Sequence, residues 1–400
     1  MPNFSQRAQR LPASPIRKLA PFADAAKAAG ANVFHLNIGQ PDIETPVEYF
    51  QAIANQPSKV LAYSQSAGIT TLRQQVAAYY RRFGCDVQME DVLITTGASE
   101  AINFVLKTVL DPGEEIIIPE PFYANYLSFS MANDGVVVPL TSNIENDFAL
   151  PTAAEFEAKI TDKTRAIMIC NPGNPTGILY PKTALVELLD LAVKYDLFLI
   201  ADEVYREFVY DNEQHHSVLT FANAKENTIV LDSISKRFSA CGARIGNIVS
   251  KNAEFLQMVL KMSQARLCPP TLGQIGATAV YQLPASFYEG VNAEYQKRRD
   301  ILLAALRDMP GVVCPNVNGA FYALVRLPVE DADHFCQWML EEFRYQGSTV
   351  MMAPGSGFYA TPGLGRDEVR IAYVLNENDL KKAMECLAKG LEAYPNRSDR

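Results

Sequence analysis

The chain reads as an α/β protein: a mainly parallel, mixed sheet sandwiched by helices, joined to a smaller α+β domain built from both chain ends. Three observations carry this. Strand-sized apolar runs alternate with helical stretches through the middle of the chain, and the runs are continuously apolar, as strands buried on both faces require. After about residue 285 the pattern changes to a long charged helical segment and a second α plus β unit. With 400 residues, 48% hydrophobic and 20% charged, the chain has enough material for roughly two to three domains.

In order, Val92 to Thr96 is predicted as a strand that turns at Gly97 and Ala98 into a helix from Ser99 through Leu110, which Asp111-Pro112-Gly113 stops. Glu115 to Pro119 is the next strand. Val136 to Leu140, Ala166 to Cys170, Phe198 to Ala201 and Thr228 to Leu231 continue the series, with a helix over Lys182 to Tyr195 among the connections. A helix over Glu289 to Asp308 then leads to strands near Gly319 to Leu327 and Val369 to Val374, flanked by helices over Asp333 to Tyr345 and Glu377 to Tyr394. The expected division is an N-terminal arm and part of the small domain (1–46), a large ligand-binding domain (47–288) and a C-terminal small domain (289–400).

Composition narrows the function. The net charge is −9, which argues against general affinity for nucleic acid or an anionic membrane. An anionic substrate therefore needs local cations. The strongest apolar runs, such as Leu197 to Ala201, are far shorter than the about 20 residues of a spanning helix, so no membrane span is expected. Seven scattered cysteines without a Cys-x-x-Cys pair point to a reducing cytoplasm rather than to disulfides or zinc. His35, His215, His216 and His334 show no metal or triad spacing.

The most informative stretch is Asp232 to Arg244, directly after the strand Thr228 to Leu231. It sets Lys236 at a strand end among hydroxyls, small residues and a second cation. Ser233, Ser235 and Arg244 can hydrogen-bond a phosphate dianion while Lys236 forms a Schiff base with an aldehyde. Asp202 and Tyr205 follow another strand end, where catalytic groups of open α/β sheets gather. A carboxylate there can hold the proton on a pyridine nitrogen, and Tyr205 can donate to a phenolic ring oxygen. Asn171-Pro172-Gly173-Asn174-Pro175-Thr176-Gly177 is a rigid turn able to aim Asn174 at the same oxygen. Gly97-Ala98-Ser99 offers amides and a helix dipole to a phosphate. Tyr123 can stack on a ring. Arg370, in an otherwise apolar strand, must find an anion, either a structural acid or a bound carboxylate.

Together these residues resemble the class I/II aminotransferases, pyridoxal phosphate enzymes of fold type I, and among them the aspartate aminotransferases. The match runs through Ser14 to Leu19, Asn37 to Asp42, Tyr63 with Gly68 and Leu72-Arg73, Gly97 to Glu100, Asn171 to Gly177, Asp202 to Tyr205, Ser233 to Gly246, Gly319 to Tyr322, and Arg370. The resemblance implies that Lys236 forms the internal aldimine with pyridoxal 5'-phosphate and shuttles the proton. Asp202 pairs with the pyridinium nitrogen, Tyr205 and Asn174 bind the 3′-oxygen, and Tyr123 stacks on the ring. Ser99, Ser233, Ser235, Arg244 and the Gly97-Ala98 turn hold the phosphate. Tyr63 would reach the phosphate in a neighbouring subunit, so a homodimer with shared sites is implied. Arg370, Asn174 and the Gly39 backbone would bind the α-carboxylate of an amino acid or 2-oxo acid. The implied reaction is ping-pong transamination, with aspartate and 2-oxoglutarate as first expectation. Alanine, aromatic substrates and C–S β-elimination are the alternatives. Some aspartate-specific relatives carry a lysine just after the glycine-rich turn, where this chain has Ser99-Glu100.

Overall fold

The computed structural model describes residues 2–12, 14–221 and 226–398. Its strands are β1 (Asn32–His35), β2 (Val92–Thr95), β3 (Glu115–Glu120), β4 (Val136–Thr141), β5 (Thr164–Cys170), β6 (Phe198–Asp202), β7 (Thr228–Ser233), β8 (Gly246–Ser250), β9 (Tyr322–Arg326), β10 (Ser348–Met351), β11 (Ala353–Pro354) and β12 (Glu368–Ala372). Seven of them form one sheet in the order β2-β8-β7-β6-β5-β3-β4. All neighbours are parallel except β8, which runs antiparallel to both β2 and β7.

Alternate residues feed two cores. Ile167 and Ile169 pack with Leu185 and Leu188 of the helix Lys182–Lys194, while Ala166, Met168 and Cys170 face the side that holds Ile102 and Val105 of the helix Gly97–Val109. Both faces are therefore covered, which is why the strands carry few polar residues. The second core is continuous with Phe321, Tyr322, Val369 and Leu387, so the C-terminal unit packs against that face.

The chain ends meet in a parallel pair, β1 with β10, where Asn32 lies opposite Ser348. Beyond it, Leu36 N–H donates to the Met351 carbonyl at 2.9 Å and the Leu36 carbonyl accepts from Ala372 N–H at 2.8 Å. This stitches the segment before Gly39 to the end of β12 and brings Asn37 beside Arg370. A three-stranded antiparallel sheet, β11-β12-β9, completes the unit. Among the described residues no helix is long and apolar enough to cross a membrane.

The elements differ from the sequence expectation in several places, and strands β1, β10 and β11 are among those it did not include. The helix expected over Asp333 to Tyr345 spans Ala332–Glu341. Tyr345 and Ser348 instead exchange backbone hydrogen bonds of 2.9 Å around Gln346 and Gly347, both at positive φ, and that turn launches β10. Strand β8 was not anticipated, because Gly246-Asn247 opens it and only Ile248 and Val249 are apolar.

Under the carboxyl end of β7 lies a fully buried ion pair. Arg237 Nη2 donates to both carboxylate oxygens of Asp232 at 2.6 Å, and its guanidinium sits 4.5 Å from the centroid of Tyr79. Removing one member leaves a buried charge uncompensated. Arg237→Ala is expected to lower the urea midpoint of the protein by the equivalent of about 3–5 kcal/mol. A midpoint within error of wild type would show that the pair holds nothing together.

Candidate functional site

Strands β5, β6 and β7 end side by side, with Cys170 opposite Asp202 and Asp202 opposite Leu231. Their carboxyl ends open into a cavity of about 330 Å³. Lys236, Asp202, Tyr205, Asn174, Tyr123 and Arg370 all line it, as do Gly39, Ala98, Ser99, Ser233, Ser235 and Arg244. The structure thus gathers residues from positions 39 to 370 around one space. Four of its lining residues are cationic and one is acidic, although the chain as a whole is strongly negative.

Asp202 ends β6 and is 4% exposed. Its Oδ2 accepts the Tyr126 hydroxyl proton at 2.7 Å and its Oδ1 accepts the Val204 N–H at 3.2 Å. Burial pushes its pKa up to about 6, against the lowering effect of those two hydrogen bonds. Lys236 sits in the short helix Ile234–Arg237 that follows β7, and its Nζ donates to the Gly39 carbonyl at 2.7 Å. Gly39 has to lack a side chain, since a Cβ there would fall 1.7 Å from the Tyr322 hydroxyl.

A second group of residues forms an anion cradle. The Ser233 and Ser235 hydroxyls lie 2.8 Å apart, and Ser235 N–H donates to Ser233 Oγ at 3.1 Å. Arg244 adopts the left-handed conformation and its Nη1 donates to the Cys241 carbonyl at 3.0 Å. Gly97 (φ +71°) opens the helix Gly97–Val109 and admits this guanidinium: an added Cβ would sit 2.5 Å from Arg244 Nη2. Ala98 and Ser99 then present the first turn of that helix, the positive end of its dipole, to the cavity. Two serines, an arginine and a helix N-terminus suit a phosphate dianion.

Asn174 bridges the two halves. Its Nδ2 donates to the Tyr205 hydroxyl at 3.4 Å and its Oδ1 accepts from Arg370 Nη1 at 3.0 Å. Arg370 is 1% exposed; Nη2 donates to the Asn37 carbonyl and Nε has no partner among the described residues. Among the described residues no carboxylate pairs with it, and its guanidinium lies 4.5 Å from the Tyr322 ring and 4.9 Å from that of Phe358. Burial pulls its pKa below the ordinary value. A structural salt bridge thus does not account for this arginine. Tyr123 is pushed up to about 12 by burial, and its hydroxyl accepts from Asn125 Nδ2 at 2.7 Å.

Tyr63 stands apart. It is 80% exposed and does not line this cavity. Conversely, sequence reasoning missed Tyr126, which holds Asp202, and gave no role to Tyr322, whose hydroxyl is 3.0 Å from that of Tyr205. Tyr126 follows Tyr123 by three residues at the start of a helix, the one signal that could have marked it.

Pyridoxal phosphate fits the residues present: a buried carboxylate that, among the described residues, has no ion-pair partner and could face the ring nitrogen, an anion cradle that Gly97 keeps open, and a lysine on the same cavity. Known proteins point the same way. The family model for aminotransferase class I and II matches residues 31–387. An aspartate aminotransferase of Pyrococcus horikoshii is 32% identical over 395 residues, 97% of either chain. The aromatic-amino-acid aminotransferase 2 of Thermococcus litoralis is 31% identical over 97% of this chain and 98% of its own. The solved structure of an alanine aminotransferase from Pyrococcus furiosus is 28% identical and covers 98% of this chain and 100% of its own, with a TM-score of 0.90.

The Asp202 environment sets a pH dependence. Between its ordinary value near 3.8 and about 6 the native protein holds a proton that the unfolded chain has released, so stability falls as pH rises through that window. In ligand-free protein, Asp202→Asn is expected to gain about 3 kcal/mol relative to wild type between pH 4 and pH 7. Chemical denaturation of both proteins at a series of pH values checks this; parallel curves would mean that Asp202 is not strained by burial.

Proposed function

The chain belongs to the class I and II aminotransferases, a pyridoxal phosphate-dependent family, and from that premise we propose that it moves the α-amino group of an L-amino acid, aspartate first, to a 2-oxo acid such as 2-oxoglutarate. Alanine and aromatic amino acids are the alternative donors, in keeping with the names of two of the relatives above. The observation that carries the proposal is the placing of Lys236 and Asp202 after neighbouring strands on one cavity with Arg370, a buried guanidinium that has no acid partner among the described residues.

When bound, pyridoxal phosphate supplies an aldehyde that condenses with amines and a cationic ring that draws electrons from the bonds at the substrate Cα. The chain supplies the rest. Lys236 would hold the aldehyde carbon, and its Nζ would carry the proton between the substrate Cα and that carbon. Asp202, steadied by Tyr126, would keep a proton on the ring nitrogen. Tyr205 and Asn174, already bonded to each other, would hold the ring oxygen, and Tyr123 would stack on the ring. Ser99, Ser233, Ser235, Arg244 and the Gly97-Ala98 turn anchor the phosphate. The α-carboxylate is held by the Arg370 fork, with Asn174 and the Gly39 backbone beside it. The arm before residue 46 and the C-terminal unit, linked through β1 and β10, close over the substrate.

Tyr63 belongs, on this proposal, to the site of a second copy. Val47, Phe50, Val60 and Leu61 are exposed as well, and exposed large apolar side chains of this kind are what a partner chain covers. Seven free cysteines favour a reducing, cytoplasmic setting.

A panel of amino donors with 2-oxoglutarate tests the activity, and failure of every donor would end the proposal. Lys236→Ala is expected to cut turnover at least about a thousandfold; unchanged kinetics would remove the lysine from the reaction. Arg370→Ala is expected to raise KM for every amino acid about ten- to a hundredfold, and an unaltered KM would place the α-carboxylate elsewhere. Mixing Lys236→Ala with Tyr63→Ala chains under subunit exchange is expected to give more activity than the two alone. A strictly additive mixture would argue against shared sites.

A further inference from the structure

Arg17 is the one cavity-lining cation to which the roles above give no task. No side-chain partner holds its guanidinium among the described residues, whereas the positions around it are fastened down. The Ile16 carbonyl accepts from Asn37 Nδ2 at 3.1 Å, Lys18 pairs with Asp333, and Leu19 is buried. Pro15 packs so closely on Gly357 that a Cβ there would fall 2.1 Å from the proline Cβ. Arg17 N–H donates to the Ser14 carbonyl at 3.1 Å, and Ala20 N–H donates to the Arg17 carbonyl at 3.0 Å, which closes the turn. An anchored loop therefore places Arg17, an exposed residue, on the lining of the cavity without a side-chain partner among the described residues, while the adjacent lysine is satisfied elsewhere.

The helix that opens at Gly97 offers no alternative. Glu100 is held by Arg266 at 2.8 Å and accepts from Thr96 N–H at 2.7 Å, so that turn contributes no free cation. We propose that Arg17 selects dicarboxylic substrates, gripping the side-chain carboxylate of an amino acid or 2-oxo acid whose α-carboxylate is held by Arg370. The inference rests on the transaminase function proposed above. A guanidinium fork matches a carboxylate in a two-point, charge-assisted contact, and the side chain of a monocarboxylic substrate has nothing to offer it.

The test uses cofactor-loaded enzyme and single amino acids, following the absorbance change of the half-reaction so that no dicarboxylic acceptor is present. Arg17→Gln is expected to lower the ratio of kcat/KM for aspartate to that for alanine roughly ten- to a hundredfold. Arg17→Lys should recover part of the ratio, with the same resting cofactor spectrum in all three proteins. An equal change for both donors in Arg17→Gln, or none, overturns the assignment while the transaminase function stands. A wild-type enzyme that favours alanine or phenylalanine over aspartate overturns it as well. If wild type converts no amino acid, both the function and this assignment fall.

Discussion

One buried carboxylate organises this molecule. Asp202 has almost no access to water and, among the described residues, two hydrogen bonds and no ion-pair partner, so its charge is unfavourable until a cation arrives. The contrast with Asp232, on the neighbouring strand, is instructive. Asp232 is equally buried but receives both short bonds from Arg237. The fold can satisfy a buried aspartate, and does so where the aspartate is structural. It leaves Asp202 unpaired at the floor of a cavity.

The other elements arrange what must meet that carboxylate. A parallel sheet aligns the ends of β5, β6 and β7, which puts Cys170, Asp202 and Ser233 on one rim. The turn after β7 carries Lys236 over the rim, and the antiparallel insertion of β8 brings Gly246 against the Gly97 turn, where Arg244 lies. From the other side, the segment between β1 and Gly39 runs beside the ends of β10 and β12. It supplies the Gly39 carbonyl to Lys236 and the Asn37 carbonyl to Arg370. Lysine and arginine are thereby held by two carbonyls of one short segment.

Much of this was legible in the sequence because the chemistry sits at strand ends. Apolar runs locate the strands, and the residues that follow them, Asn174, Asp202, Ser233 and Lys236, stand out as polar groups where a simple reversal needs none. Arg370 stands out for the opposite reason, a charge inside an apolar strand. What escaped depends on distant contacts. Tyr126 resembles any helical aromatic until the fold places its hydroxyl on Asp202, and Arg17 resembles a solvated arm residue until its loop is pinned to the C-terminal unit. Strand β8 escaped because two apolar residues are too few to register. Helix ends shifted where backbone turn geometry, as at Gln346-Gly347, outweighed local propensity.

On the proposed function, one lysine next to one buried carboxylate holds the cofactor. Reductive trapping of the pyridoxal phosphate-loaded protein with borohydride, followed by peptide mass spectrometry, tests it most directly. The expected result is a single pyridoxyl-phosphate adduct on the peptide containing Lys236. Incorporation at another lysine, or none, would contradict the account.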